Sequence, residues 1–162
     1  MNVQAYIPVT PRIDPAGHMQ TDAARAMLQL QRAVETSGLE HSLLELVKIR
    51  ASQINGCAYC IDMHTKDARA AGETEQRIYA LSAWHEAPFF TARERAALEW
   101  TDAVTRIADT HVPDDVHERV RAEFDERELV ALTWAVVAIN SWNRLAVSFR
   151  LPAGSYQPGQ LR

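Results

Sequence analysis

No stretch of this chain alternates polar and apolar side chains for long enough to make a half-buried strand, and that exclusion constrains the fold more than any other feature. Apolar residues recur instead at helical spacing, in segments separated by glycine, proline and capping signatures. The first runs from Asp22 through Met27, Leu30 and Val34 to Gly38, which stands where a helix C-cap belongs. A second spans about Glu40 to Ile54, with Leu43, Leu44, Leu46, Val47 and Ile54 as its apolar face, and Asn55-Gly56 breaks it. A third is expected from about Cys57 to Ala71 with Gly72 as its cap, and a fourth from Thr74 to about Trp84. Thr91-x-x-Glu94 reads as a capping box for a helix to about Ala108, and Pro113 opens a short helix to about Phe124. Asp125-x-x-Glu128 could likewise cap the last and longest, to about Phe149. The expectation is an all-α fold, a single helical domain over 1–162 with an extended arm over 1–20 that carries Pro8, Pro11 and Pro15. The tail, with Pro152, Gly154, Pro158 and Gly159, reads as irregular.

Composition narrows the function. With 162 residues, 47% of them hydrophobic, the chain is long enough to bury one sizeable core. A formal net charge of -4 with scattered positive residues offers no basic footprint, so nucleic acid is set aside as a partner. The longest uncharged apolar run, Leu129 to Ile139, falls well short of the ~20 residues that span a bilayer, and the start Met1-Asn2-Val3-Gln4 has neither a basic n-region nor an apolar h-region. A soluble cytoplasmic protein without a membrane partner is expected. In that reducing compartment a lone cysteine pair points to catalysis or metal binding rather than to a structural staple.

The pair is Cys57-x2-Cys60, followed by His64. At roughly 100° per helical residue, Cys60 lies about 60° from Cys57 and His64 about 40° beyond Cys60, so the three side chains share one stripe. His64 can touch the Cys60 sulfur at i+4, and Cys57 one turn back can close a disulfide with it. That set supplies a nucleophile, a base and a resolving thiol. A structural disulfide closing so small a loop would contribute only about 2 kcal/mol in the chain-entropy model, which favours redox chemistry over a staple. Zinc is the other chemical reading, since all three are competent ligands. The remaining histidines, His18, His41, His85, His111 and His117, form no second ligand pair at a recognisable spacing. No metal and no cofactor are therefore expected.

Other polar residues have plainer explanations. Glu45 lies opposite the apolar stripe of its helix beside Lys48 and reads, on spacing alone, as half of a solvated i,i+3 pair. Arg50 falls between Leu43, Leu46 and Ile54 on the helical wheel, where it needs a carboxylate partner that the sequence does not identify. Trp84-His85 and Asn140-Ser141-Trp142-Asn143 read as polar groups at helix–helix contacts at least as well as parts of a site.

At Glu45, Cys57, Cys60 and His64, and through Glu45-Leu-Val-Lys-Ile-Arg-Ala-Ser-Gln-Ile-Asn-Gly-Cys-Ala-Tyr-Cys-Ile-Asp-Met-His64, the chain resembles the alkylhydroperoxidase D-like (AhpD-like) branch of the carboxymuconolactone decarboxylase superfamily. The resemblance continues less specifically through Trp84 to about Trp100, with a redox core over about 40–100. It implies an all-helical protein that assembles into homo-oligomers, often trimers or hexamers. It also implies that Cys60 is the attacking thiol, Cys57 the resolving thiol, His64 the base and Glu45 the relay carboxylate. The activity implied is thiol-dependent reduction of alkyl hydroperoxides, recharged by an external dithiol from a lipoyl protein or a peroxiredoxin system. The best-known pattern has a second histidine where Tyr59 stands, and a tyrosine at its usual pKa is a poor base near neutrality. Helix-dipole reasoning favours Cys57 as the more acidic thiol, whereas contact with His64 favours Cys60. Three alternatives keep a place: a dithiol–disulfide oxidoreductase with little peroxide activity, a decarboxylase-like lyase that uses proton transfer without thiols, and a non-enzymatic redox sensor.

Overall fold

A computed structural model describes residues 7–14, 17 and 19–160, and among these every regular element is helical. The order is α1 (Asp22–Glu35), α2 (His41–Asn55), α3 (Ala58–Ala70), α4 (Glu75–Ala80), a 3₁₀ turn over Leu81–Ala83, α5 (Ala92–Thr105), α6 (Ile107–Thr110), α7 (Asp114–Arg121) and α8 (Glu126–Phe149). Side chains set most of the starts. Thr21 accepts from the amide of Ala24 at 3.2 Å and Thr74 from that of Arg77 at 3.3 Å. Both predicted capping boxes form, Thr91 with Glu94 and Asp125 with Glu128.

Two expected elements differ. The helix foreseen from Thr74 to Trp84 tightens after Ala80 into the 3₁₀ turn. The segment from Thr91 closes at Thr105, and a separate short helix follows it. The arm is irregular over 7–14 and packs on the far end of α8, where the Arg12 amide donates to Phe149 O at 2.8 Å. Pro15 and His18 lie outside the described residues.

Helix α2 is the hub, packed by α3, α5 and α8. Every residue from Leu43 to Ser52 is buried, so the solvated face that spacing assigned to this helix does not exist. One side of the hub feeds a core of Leu44, Val47, Trp100, Val120, Phe124, Leu132 and Val136, and the other a core of Leu46, Ile49, Leu81, Trp84, Phe90 and Leu98. Arg50 finds its partner in Asp102 of α5, a two-pronged pair with Nε–Oδ1 at 2.6 Å and Nη2–Oδ2 at 2.7 Å. No described helix is long and apolar enough to cross a membrane.

A buried amide network ties α2 to α8 just before the cysteines. Asn55 Nδ2 donates to Asn140 Oδ1 at 3.0 Å and to Asn143 Oδ1 at 2.9 Å, and Asn143 Nδ2 donates to Ser52 Oγ at 3.0 Å. Asn140 and Asn143 thus make a helix–helix contact. Trp84 and His85 stack on each other at 3.6 Å, with Trp84 in the second core.

Candidate active site

The turn that presents the cysteines begins at Gly56, whose φ of 65° places it in the left-handed region that suits glycine and ends α2. The chain then folds back, with the Cys57 amide donating to Ser52 O at 3.0 Å. Cys57 is the N-cap of α3, and its sulfur accepts from the Cys60 amide at 3.3 Å. Sequence reasoning put Cys57 inside the first helical turn. As the cap it stands just outside, where its sulfur still meets the free amides of the first turn, while Cys60 lies within that turn, so the helix-terminus argument continues to favour Cys57 and contact with His64 to favour Cys60.

The two cysteines form a disulfide with their Cα atoms 5.4 Å apart, and both are buried. One turn after Cys60 comes His64, also buried. Glu45 reaches it from α2, with Oε2 3.1 Å from Nδ1. An ionised carboxylate only accepts, so Nδ1 carries a proton; in the neutral ring Nε2 is then the acceptor, and in the charged ring both nitrogens donate. The other carboxylate oxygen, Oε1, accepts from Lys48 Nζ at 2.8 Å and lies 3.9 Å from Nε2 of the half-exposed His41.

Glu45 is therefore no solvated residue: it is 4% exposed and Lys48 8%. Burial alone would push the Glu45 carboxyl up, but the hydrogen bond and charge of His64 together with the Lys48 ammonium outweigh it and hold the group at about 2. It stays a carboxylate at any physiological pH. Tyr59 behaves in the opposite way, since burial and then the charge of Asp62 push its phenol up, and it stays protonated.

Cys60, His64 and Glu45 line one cavity of about 200 Å³, and Cys57 lies behind its wall against Ala146. Met63, Leu145 and Ile139 make the walls apolar, and Tyr59, Trp142 and Tyr156 add rings. The volume is below the ~300–1,000 Å³ of typical drug-sized pockets. The C-terminal tail closes one side. Lys66 Nζ donates to Tyr156 O at 3.0 Å, and the Tyr156 hydroxyl lies 2.9 Å from both oxygens of Asp67. Spacing brings out Cys57, Cys60 and His64, and the family resemblance adds Glu45; the sequence leaves Trp142 undecided and misses Lys48, Asp67 and Tyr156 as residues lining the same cavity. For Lys48 and Asp67 a signal existed, each standing three residues after a site residue. For Tyr156, in an irregular tail, there was none.

An all-helical fold that sets a C-x-x-C pair beside a histidine–glutamate dyad defines the AhpD-like class. The chain belongs to the carboxymuconolactone decarboxylase family, whose model matches residues 21–103, and to its AhpD-like branch. The uncharacterized protein YdfG of Bacillus subtilis is 45% identical over 134 residues, 83% of this chain and 91% of that protein. A solved protein of unknown function from Agrobacterium tumefaciens, provisionally designated the antioxidant defence protein AhpD, superposes with a TM-score of 0.86 at 47% identity, covering 91% of this chain and all of that one. An uncharacterized peroxidase-related protein from Ralstonia eutropha, an alkylhydroperoxidase AhpD core, has a TM-score of 0.76 at 19% identity over 90% of this chain and 78% of its own, a likeness of fold alone.

Proposed function

We propose that this protein is a thiol-dependent alkyl hydroperoxide reductase. The observation that carries the reading is the asymmetry of the pair: Cys60 faces the same cavity as His64 and Glu45, whereas Cys57 lies behind the wall within disulfide reach. In the reduced protein, His64 Nε2 takes the Cys60 thiol proton, and Glu45 holds the ring on the other side. The thiolate attacks the terminal peroxide oxygen. An S–O bond forms, the O–O bond breaks, and the alkoxide leaves as an alcohol with the proton from His64. The Cys57 thiol then attacks the sulfenic sulfur, water departs, and the disulfide forms. An external dithiol, from a lipoyl protein or a peroxiredoxin system, takes the protein back to its reduced state with release of its own disulfide. The apolar walls suit an organic hydroperoxide better than hydrogen peroxide.

The site residues act within a homo-oligomer, a trimer or hexamer, of a cytoplasmic protein. The exposed apolar stripe of α8, Val130, Trp134 and Val137, supports the assembly. A second reading, dithiol–disulfide exchange with little peroxide activity, is favoured by Tyr59, whose protonated phenol cannot serve as the additional base of the best-known pattern.

Stopped-flow tryptophan fluorescence of the reduced protein separates the two. Stoichiometric cumene hydroperoxide is expected to oxidise wild type far faster than it oxidises an ordinary free thiol, and Cys60→Ser is expected to abolish the phase. Oxidation by peroxide at the free-thiol rate, with fast oxidation by lipoamide disulfide, would replace this reading with the exchange reading. Slow oxidation by both would leave a redox sensor.

A further inference from the structure

Lys48 is not used by the mechanism above, yet it is 8% exposed and lines the cysteine cavity. Burying an ammonium is costly unless it is paired, and an apolar side chain of similar length would fill the same space at no such cost. Its partner is the oxygen of Glu45 that His64 does not use, at 2.8 Å. One carboxylate is thereby clamped between the lysine and the base.

The charges around the thiol give this clamp its meaning. Glu35 faces the cavity from α1, His41, Glu45 and Lys48 from α2, Tyr59, His64 and Asp67 from α3, and Tyr156 from the tail, while α8 contributes Ile139, Trp142, Leu145 and Ala146. Behind Glu45, Glu73, Arg77 and Glu94 line a second cleft, where Arg77 is already paired with Glu73 at 2.9 Å and with Glu94 at 2.6 Å. Among the described residues of the cavity, Lys48 is the one lysine or arginine, against the carboxyl groups of Glu35, Glu45 and Asp67. A site with that excess of acid resists formation of a thiolate, and a cation within it opposes the resistance.

We propose that Lys48 is a positioning residue of the proton relay, anchoring Oε1 of Glu45 so that Oε2 stays on His64, and that its charge sustains the Cys60 thiolate near neutrality. The inference rests on the thiol reading of the site. It is tested by a reaction that needs no peroxide, so the two fail separately.

The probe is iodoacetamide, and the readout is the pH profile of Cys60 alkylation in the Cys57→Ser protein, where Cys60 is the only thiol. Adding Lys48→Met is expected to move the midpoint up by about one pH unit, so that alkylation below the midpoint slows about tenfold. Lys48→Arg is expected to restore the midpoint to within about 0.3 unit, which a purely structural role would not require. Lys48→Gln, which keeps a hydrogen bond to Oε1 without the charge, gives the same test should the methionine variant not fold. His41→Asn, placed in the same proteins, is expected to leave the displacement intact. An unmoved midpoint in folded Lys48→Met and Lys48→Gln overturns the proposal, and so does an equal displacement in Lys48→Arg or one that disappears with His41→Asn.

Discussion

Replacing Glu45 by Gln tests the buried dyad through stability rather than activity. A carboxyl held at about 2 in the folded protein instead of 4.5 contributes about 3 kcal/mol of stability. The folded value is the depressed one, so this contribution is fully present above the unfolded value and is lost as pH falls toward 2. Between pH 5 and pH 3 the wild type should lose about 2 kcal/mol from this group alone, whereas Glu45→Gln has nothing there to lose. Glu40, Glu94 and Glu128 are also held below the usual carboxylate range, chiefly by their arginine partners against the opposing effect of burial, so the wild type will weaken in acid for other reasons too. Those contributions cancel in the difference between the two proteins. The assay is urea unfolding of the oxidised proteins at pH 5, 4 and 3, followed by tryptophan fluorescence. Near pH 5 the variant should be the less stable by about 3 kcal/mol, because it leaves Lys48 buried without its counter-charge. The gap should narrow by about 2 kcal/mol at pH 3. A gap that stays constant within about 0.5 kcal/mol would refute the claim that Glu45 is an ionised, clamped carboxylate.

Two further outcomes check other parts of the account. Asn143→Ala removes a fully buried amide that bridges Ser52 and Asn55, and the stranded partners should cost about 2 kcal/mol in urea unfolding at pH 7, with a cost under about 0.5 kcal/mol contradicting the network's role. Trp134→Lys places a charge on the exposed stripe of α8, where Trp134 is 51% exposed. Light scattering should then report a smaller assembly than for wild type, and an unchanged mass would exclude this stripe as the subunit contact.

The parts of this fold that were legible in the sequence are those set by neighbours along the chain. Thr91 with Glu94 and Asp125 with Glu128 announce helix starts because the groups that satisfy the free amides lie within the same turn. Gly56 announces the turn before the cysteines for the same local reason. Glu45 misled because a helical wheel assigns polar residues to water, whereas α2 is enclosed by α3, α5 and α8 and its polar face is satisfied from outside the helix. His64 lies 19 residues from Glu45, and Asp102 lies 52 from Arg50. Tyr156 reaches Asp67 across 89 residues from a tail with no periodicity. Such pairings depend on packing, which no short window contains.

The division of labour between the cysteines is the central claim, and trapping the intermediate tests it most directly. Reduced Cys57→Ser and Cys60→Ser proteins would each be mixed with one equivalent of cumene hydroperoxide in the presence of dimedone and read by intact mass and peptide mapping. A rapid dimedone adduct is expected on Cys60 in Cys57→Ser, with no comparable adduct in Cys60→Ser. An adduct forming as fast on Cys57 in Cys60→Ser, or on neither protein, would contradict that claim.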